Sequence, residues 1–374
     1  AEDDPQYLSL LGSAYLADGK PARGIEYLEQ AVSLSPDTAN LRSQLAMGRL
    51  AAGEVDAAIS DLEMAINLDG QLVQADTLLV LTYLKRKEYE KALTAIEPLM
   101  EKVPDSPVPY NFRGAAHFGM GDTGAARRDY EQALKIQPDF LIAHLNLAKL
   151  ELSANNTAAA KGHYNDLLSY DKNNLKALLG MAALAYRDGQ VNETEKWLKQ
   201  AHEYHPKAIE PALLLIEHYD RVGETGQALE LARATSIDHR DNPTLLGLMA
   251  RIQLKTGDNK AAVATFRKLT EVLPNSPEAH YQLAMVQLRL KQSDDARKSL
   301  QRALELRADY PDAQVMLGKL DIQAKDEKSA LAMAEKLQQA HPQAPHGYAL
   351  EGDVYDARSE PERAAKAYAC LLYT

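Results

Sequence analysis

The chain is short of cysteine, tryptophan and phenylalanine, with one, one and four among 374 residues. A single cysteine, Cys370, rules out an internal disulfide framework and any paired-cysteine metal knuckle. Cations are in deficit. Forty-two Lys and Arg against 53 Asp and Glu leave a formal charge of −11. That balance disfavours a basic nucleic-acid footprint and, on average, an anionic membrane surface. No run of about 18 apolar residues occurs, so no segment reads as a bilayer-spanning helix. The zinc-protease helix motif, the Walker-type phosphate loop and any Ser-His-Asp or Cys-His arrangement are absent as well. Catalysis needs a positioned constellation, so we expect no enzyme, no cofactor and no metal. His202 and His205 lie three residues apart just before Pro206. The negative end of a helix accounts for such a pair without a bound ion.

What the chain does have is a period. Gly12, Ala46, Val80, Gly114, Ala148, Ala182, Ile216, Ala250, Ala284, Gly318 and Gly352 recur every 34 residues without insertion or deletion. Twelve residues further on runs a second series: Gly24, Ala58, Ala92, Ala126, Ala160, Thr194, Ala228, Ala262, Ala296, Ala330 and Ala364. Proline closes six of the units, at Pro36, Pro104, Pro138, Pro206, Pro274 and Pro342. One unit, 105–138, shows what the period encodes. Ser106 can cap a helix beginning at Pro107. Tyr110, Gly114, Ala115 and His117 or Phe118 follow at helical spacing, and Gly121-Asp122 breaks the helix. Ala126, Tyr130, Ala133, Leu134 and Ile136 line a second helix that Pro138 stops. Each unit is therefore a helical hairpin. Its small residues let two helices approach closely, and it must stack on its neighbours to bury its apolar face.

The order of small residue, aromatic, Ala, aromatic, Ala and Pro resembles the tetratricopeptide-repeat family over essentially the whole chain. The resemblance implies an all-α fold, a right-handed α-solenoid of about eleven helix-turn-helix repeats and twenty-two helices. The repeats fall near 5–38, 39–72, 73–106, 107–140, 141–174, 175–208, 209–242, 243–276, 277–310, 311–344 and 345–374. Val80 and Ile216 depart from the small slot, and Arg113 and Glu351 stand where an apolar residue is usual. Repeat seven departs most, with Ala232 in a slot where an aromatic or Leu is usual and Arg240 in the proline slot, so 208–242 reads equally as a soft joint or as ordinary packing. Arrays of this kind ordinarily end in a polar-faced helix. The eleventh repeat stops at Thr374 without one, and we expect a piece of a longer protein with any targeting signal outside it.

The resemblance also implies that first helices line a concave face where protein or peptide partners lie. Its register places Asn111, Asn146, Lys149, Lys176, Tyr186, Arg187, Glu217, Asp220, Arg251, Lys255, Tyr281 and Arg289 on that face. An acidic group, Glu217 and Asp220 with Glu210, sits there between basic ones. An apolar stripe runs beside them through Leu16, Leu50, Leu84, Phe118, Leu152, Tyr186, Leu254, Leu288 and Ile322. It reads equally as packing between neighbouring helices or as ligand contact. Nine of the eighteen tyrosines occupy packing slots, while Tyr186 and Tyr281 face inward and could stack on sugars, which makes polysaccharide a further candidate partner. The carboxylate clamp of co-chaperone arrays is matched only by Asn146 and Lys176, so a chaperone-tail adaptor is rejected. The wording of 42–69, 107–152 and 347–357 is similar to the tetratricopeptide lipoproteins associated with exosortase, or PEP-CTERM, sorting in Gram-negative exopolysaccharide loci. That similarity implies a periplasmic scaffold, held to a membrane only through a lipid anchor outside this sequence. A cytoplasmic adaptor of the same fold is the alternative.

Overall fold

The computed structural model describes residues 4–369, so Cys370 lies outside the described residues. By contact density the chain comprises two compact units, Ala1–Leu184 and Ala185–Thr374. The first unit holds α1 (Pro5–Ala17), α2 (Pro21–Leu34), α3 (Ala39–Ala52), α4 (Val55–Leu68), α5 (Val73–Lys85), α6 (Tyr89–Lys102), α7 (Pro107–Met120), α8 (Thr123–Ile136), α9 (Leu141–Ser153) and α10 (Thr157–Tyr170). The division falls inside α11 (Leu175–Arg187). The second unit continues with α12 (Val191–Tyr204), α13 (Ile209–Val222), α14 (Thr225–Asp238), α15 (Pro243–Lys255), α16 (Asn259–Val272), α17 (Pro277–Arg289), α18 (Ser293–Leu306), α19 (Pro311–Gln323), α20 (Glu327–Ala340), α21 (Pro345–Ala357) and α22 (Pro361–Ala369). Among the described residues these twenty-two helices are the whole of the regular structure, two per 34-residue repeat. None of them is long and apolar enough to cross a membrane. Repeat seven, α13 and α14, lies within the second unit.

Local chemistry starts and stops the helices where the sequence says. Ser106 is extended (φ −94°, ψ 135°) and its hydroxyl accepts from the Val108 amide at 3.3 Å, ahead of Pro107. Gly121 takes the left-handed conformation at φ 87° and closes α7, and Asp122 then caps α8 by accepting from the Ala125 amide at 2.8 Å. The same turn position is left-handed in every repeat. Glycine serves in six of them, and Lys87, Asn155, Lys291, Lys325 and Ser359 serve in the others.

The two periodic series are buried throughout. At Gly114 a Cβ would come within 2.6 Å of the Tyr130 ring, so the glycine makes room for a large side chain sixteen residues on. Repeat seven exchanges those sizes: Ile216 stands in the glycine slot and Ala232 in the tyrosine slot, both fully buried. Two departures that look independent in the sequence thus complement each other. Apolar clusters then run from one hairpin into the next. Ala126 and Tyr130 of repeat four join Leu147 and Leu150 of repeat five, and Leu246, Phe266 and Leu283 join repeats eight and nine. This is the continuous core that a single hairpin lacks.

Buried polar groups also follow the period, because each must find a partner. Twelve residues apart, across a hairpin, lie Arg49–Asp61 at 2.5 Å, His117–Asp129 at 2.8 Å, Gln253–Thr265 at 2.8 Å and Gln287–Ser299 at 2.8 Å. Twenty-four apart, between repeats, Arg127 pairs with buried Glu151 and Arg297 with buried Asp321. His218 is an exception. It is 4% exposed, its Nε2 has no partner, and burial pushes its pKa below the ordinary histidine value against a smaller opposing pull from Glu195. The unfolded chain therefore binds this proton more readily than the folded one. Stability from His218 is complete above about pH 6.5 and is lost as pH falls toward the depressed folded value. Thermal unfolding scans at pH 7.5 and 5.5 are expected to show a smaller loss of Tm in His218→Leu than in the parent.

Candidate partner-binding face

Side chains on successive first helices meet at separations of 31 or 35 residues, one period displaced to either side by less than a helical turn. In the first unit the Asn146 amide donates to Asn111 Oδ1 at 2.9 Å, and Lys149 Nζ lies 5.4 Å from the Phe118 ring centroid. In the second, Lys255 Nζ lies 2.7 Å and Arg251 Nε 3.6 Å from the Asp220 carboxylate, and the Arg221 guanidinium stacks 4.4 Å over Tyr186.

These contacts sort the twelve residues assigned to the face by sequence. Lys149, Lys176, Tyr186, Arg187, Arg251, Lys255 and Arg289 are exposed, and Asn146, Glu217 and Tyr281 are half-buried. Asn111, at 4%, and Asp220, at 9%, are buried. That differs from the sequence expectation, because each is covered by the partner 35 residues later. The acidic group loses Asp220 to Arg251 and Lys255, so the expected alternation of charge is partly neutralised inside the array. Tyr281 packs on Tyr310 with ring centroids 5.1 Å apart and belongs to the core at α17–α19. The apolar stripe is half-buried packing at every position except Tyr186, which is 52% exposed.

One element of the face escaped the sequence reading. A cavity of about 480 Å³ opens on the first helices of the second unit, floored by Leu248, Phe266 and Leu269 and rimmed by Glu217 and Arg251. Gly247 lines it, and a Cβ there would meet nothing within 4 Å. The same slot holds Asn111, Leu213 and Tyr281 in other repeats. The missing side chain makes the opening, and a lone glycine in an otherwise filled slot was the available signal.

Tetratricopeptide repeat models match residues 5–38, 117–184, 248–313 and 281–345, together more than half of the chain. The chain belongs to the tetratricopeptide-repeat family. Repeats of this family mediate protein–protein interaction. The array is 25% identical over 235 residues to the tetratricopeptide repeat and J domain-containing co-chaperone of Fusarium oxysporum, covering 61% of this chain and 40% of that one. It is 27% identical over 133 residues to U-box domain-containing protein 70 of Oryza sativa, covering 36% and 16%. This array therefore spans less than half the length of these curated relatives. Among solved structures it is similar to Pseudomonas aeruginosa pilF, at 18% identity and a TM-score of 0.44, covering 55% of this chain and 94% of that one.

Proposed function

We propose that this tetratricopeptide array is a non-enzymatic scaffold of the bacterial periplasm that holds protein partners during exopolysaccharide export or surface-protein sorting. The observation that carries the binding mode is the cavity beside Gly247. An apolar floor between an acidic and a basic rim suits one large apolar side chain of an extended segment, with charges of both signs beside it. The compartment and pathway rest on the wording of 42–69, 107–152 and 347–357.

Selecting displayed random peptides against the purified chain tests the mode. Enriched sequences are expected to carry one large apolar residue flanked by mixed charge. Gly247→Leu, whose Cβ meets nothing within 4 Å and whose side chain would occupy the cavity, is expected to weaken them at least about tenfold while Lys161→Leu does not. Undiminished binding to Gly247→Leu would remove the cavity from the mechanism. Fractionating a Gram-negative host that expresses the full-length gene tests the compartment. Recovery with the cytosol would decide for the adaptor reading.

A further inference from the structure

Repeat five brings together three groups that lie apart from the residues of the partner-binding face. His144 on α9 is 4% exposed, and its Nδ1 lies 3.4 Å from Nδ1 of half-buried His163 on α10. Exposed Asp166, one turn beyond His163, offers a carboxylate oxygen, and the three ligand atoms lie within 4.8 Å of one another.

The protonation of His144 follows from the repeat itself. In its slot the side chain bonds the carbonyl six residues earlier: Arg42 to Pro36 at 3.0 Å, Gln314 to Ala308 at 3.0 Å and Tyr348 to Pro342 at 3.3 Å. All three are donors, and a carbonyl only accepts. His144 Nε2 sits 2.9 Å from the Pro138 carbonyl in the same way, so Nε2 carries the hydrogen and Nδ1 presents a lone pair. A backbone carbonyl that fixes the tautomer and aims the other nitrogen is the usual support of a metal-ligating histidine. The slot of His163 differs from its counterparts too. Asp61, Asp129, Thr265 and Ser299 each bond the residue twelve before them. In repeat five that residue is Glu151, already held by Arg127 and by Asn156 at 2.9 Å, and His163 turns to His144 instead. A separation of 3.4 Å is long for an N–H···N hydrogen bond. It equals the edge of a tetrahedral zinc site, where nitrogens at about 2.0–2.1 Å from the ion stand about 3.3–3.4 Å apart.

We propose that His144, His163 and Asp166 bind a zinc ion, with two imidazole nitrogens, one carboxylate oxygen and a fourth position open to water or to a partner's side chain. Two nitrogens and one oxygen suit a borderline cation rather than magnesium or calcium. Titrating the whole chain with zinc alone is expected to give one equivalent bound. Cobalt in its place is expected to give the intense visible bands of a tetrahedral ion. His163→Gln should weaken zinc binding by more than about a hundredfold and Asp166→Asn by about tenfold, while His202→Gln leaves it unchanged. Circular dichroism of His163→Gln checks that the hairpin still folds, since buried His144 is the riskier position to change. No stoichiometric binding at micromolar zinc, or binding that survives His163→Gln, would overturn the proposal.

Discussion

Tyr130→Ala is expected to destabilise the first unit by about 3–5 kcal/mol. The ring is 2% exposed and lies in the cluster with Ala126, Leu147 and Leu150 that joins repeats four and five. Facing it is Gly114, which has no side chain to move into the space. In an array, stability is roughly a sum of repeat and neighbour-interface terms. The loss should therefore appear as an early transition in urea, with hydrogen exchange accelerated over α7–α9 first. Repeat seven supplies the control. Gly114→Ile alone overpacks the crossing and should cost about 1–3 kcal/mol or more. Combined with Tyr130→Ala it recreates the Ile216 and Ala232 pairing and should recover part of the loss. Strict additivity of the two changes would show that these slots do not share one space.

The second large effect is electrostatic. Lys102 Nζ lies 2.5 Å from Asp76 Oδ2 within repeat three, with side chains 12% and 2% exposed. Lys102→Met leaves a buried carboxylate without its cation and is expected to cost about 3–5 kcal/mol. Removing both charges, in Asp76→Leu with Lys102→Met, is expected to fall close to the parent, because the attraction of a buried pair is largely offset by its desolvation. Denaturant midpoints of the parent, both singles and the double measure the coupling. A double variant as unstable as Lys102→Met would mean that the pair stabilises on its own account.

The period carried most of the fold because small residues at fixed spacing are a packing constraint that nothing else in the sequence imitates. Ala58, Ala92, Ala126 and Ala262 are wholly buried as expected, and Ser106, Gly121 and Asp122 act as the helix signals they resemble. The face was less legible. Asn111 and Asp220 look like groove residues until a partner 35 positions later covers them, and helical register within one repeat says nothing of the next. The histidines show the same limit from the other side. His202 and His205 stand out because they are close in sequence. His144 and His163, nineteen apart, meet only because the hairpin folds between them. Gly247 was hidden for a different reason: its meaning is an empty volume, visible only once its neighbours have positions.

The exchange of sizes between Ile216 and Ala232 also bears on how such a gene can be rearranged. Recombination between these two repeats moves each pair, Gly114 with Tyr130 or Ile216 with Ala232, as a unit and keeps its crossing filled. A breakpoint between the two helices of a hairpin separates the pair. Joining α13 to α8 would set Ile216 against Tyr130, and joining α7 to α14 would set Gly114 against Ala232. One chimera is jammed and the other hollow. For repeats four and seven the heritable module is the whole hairpin.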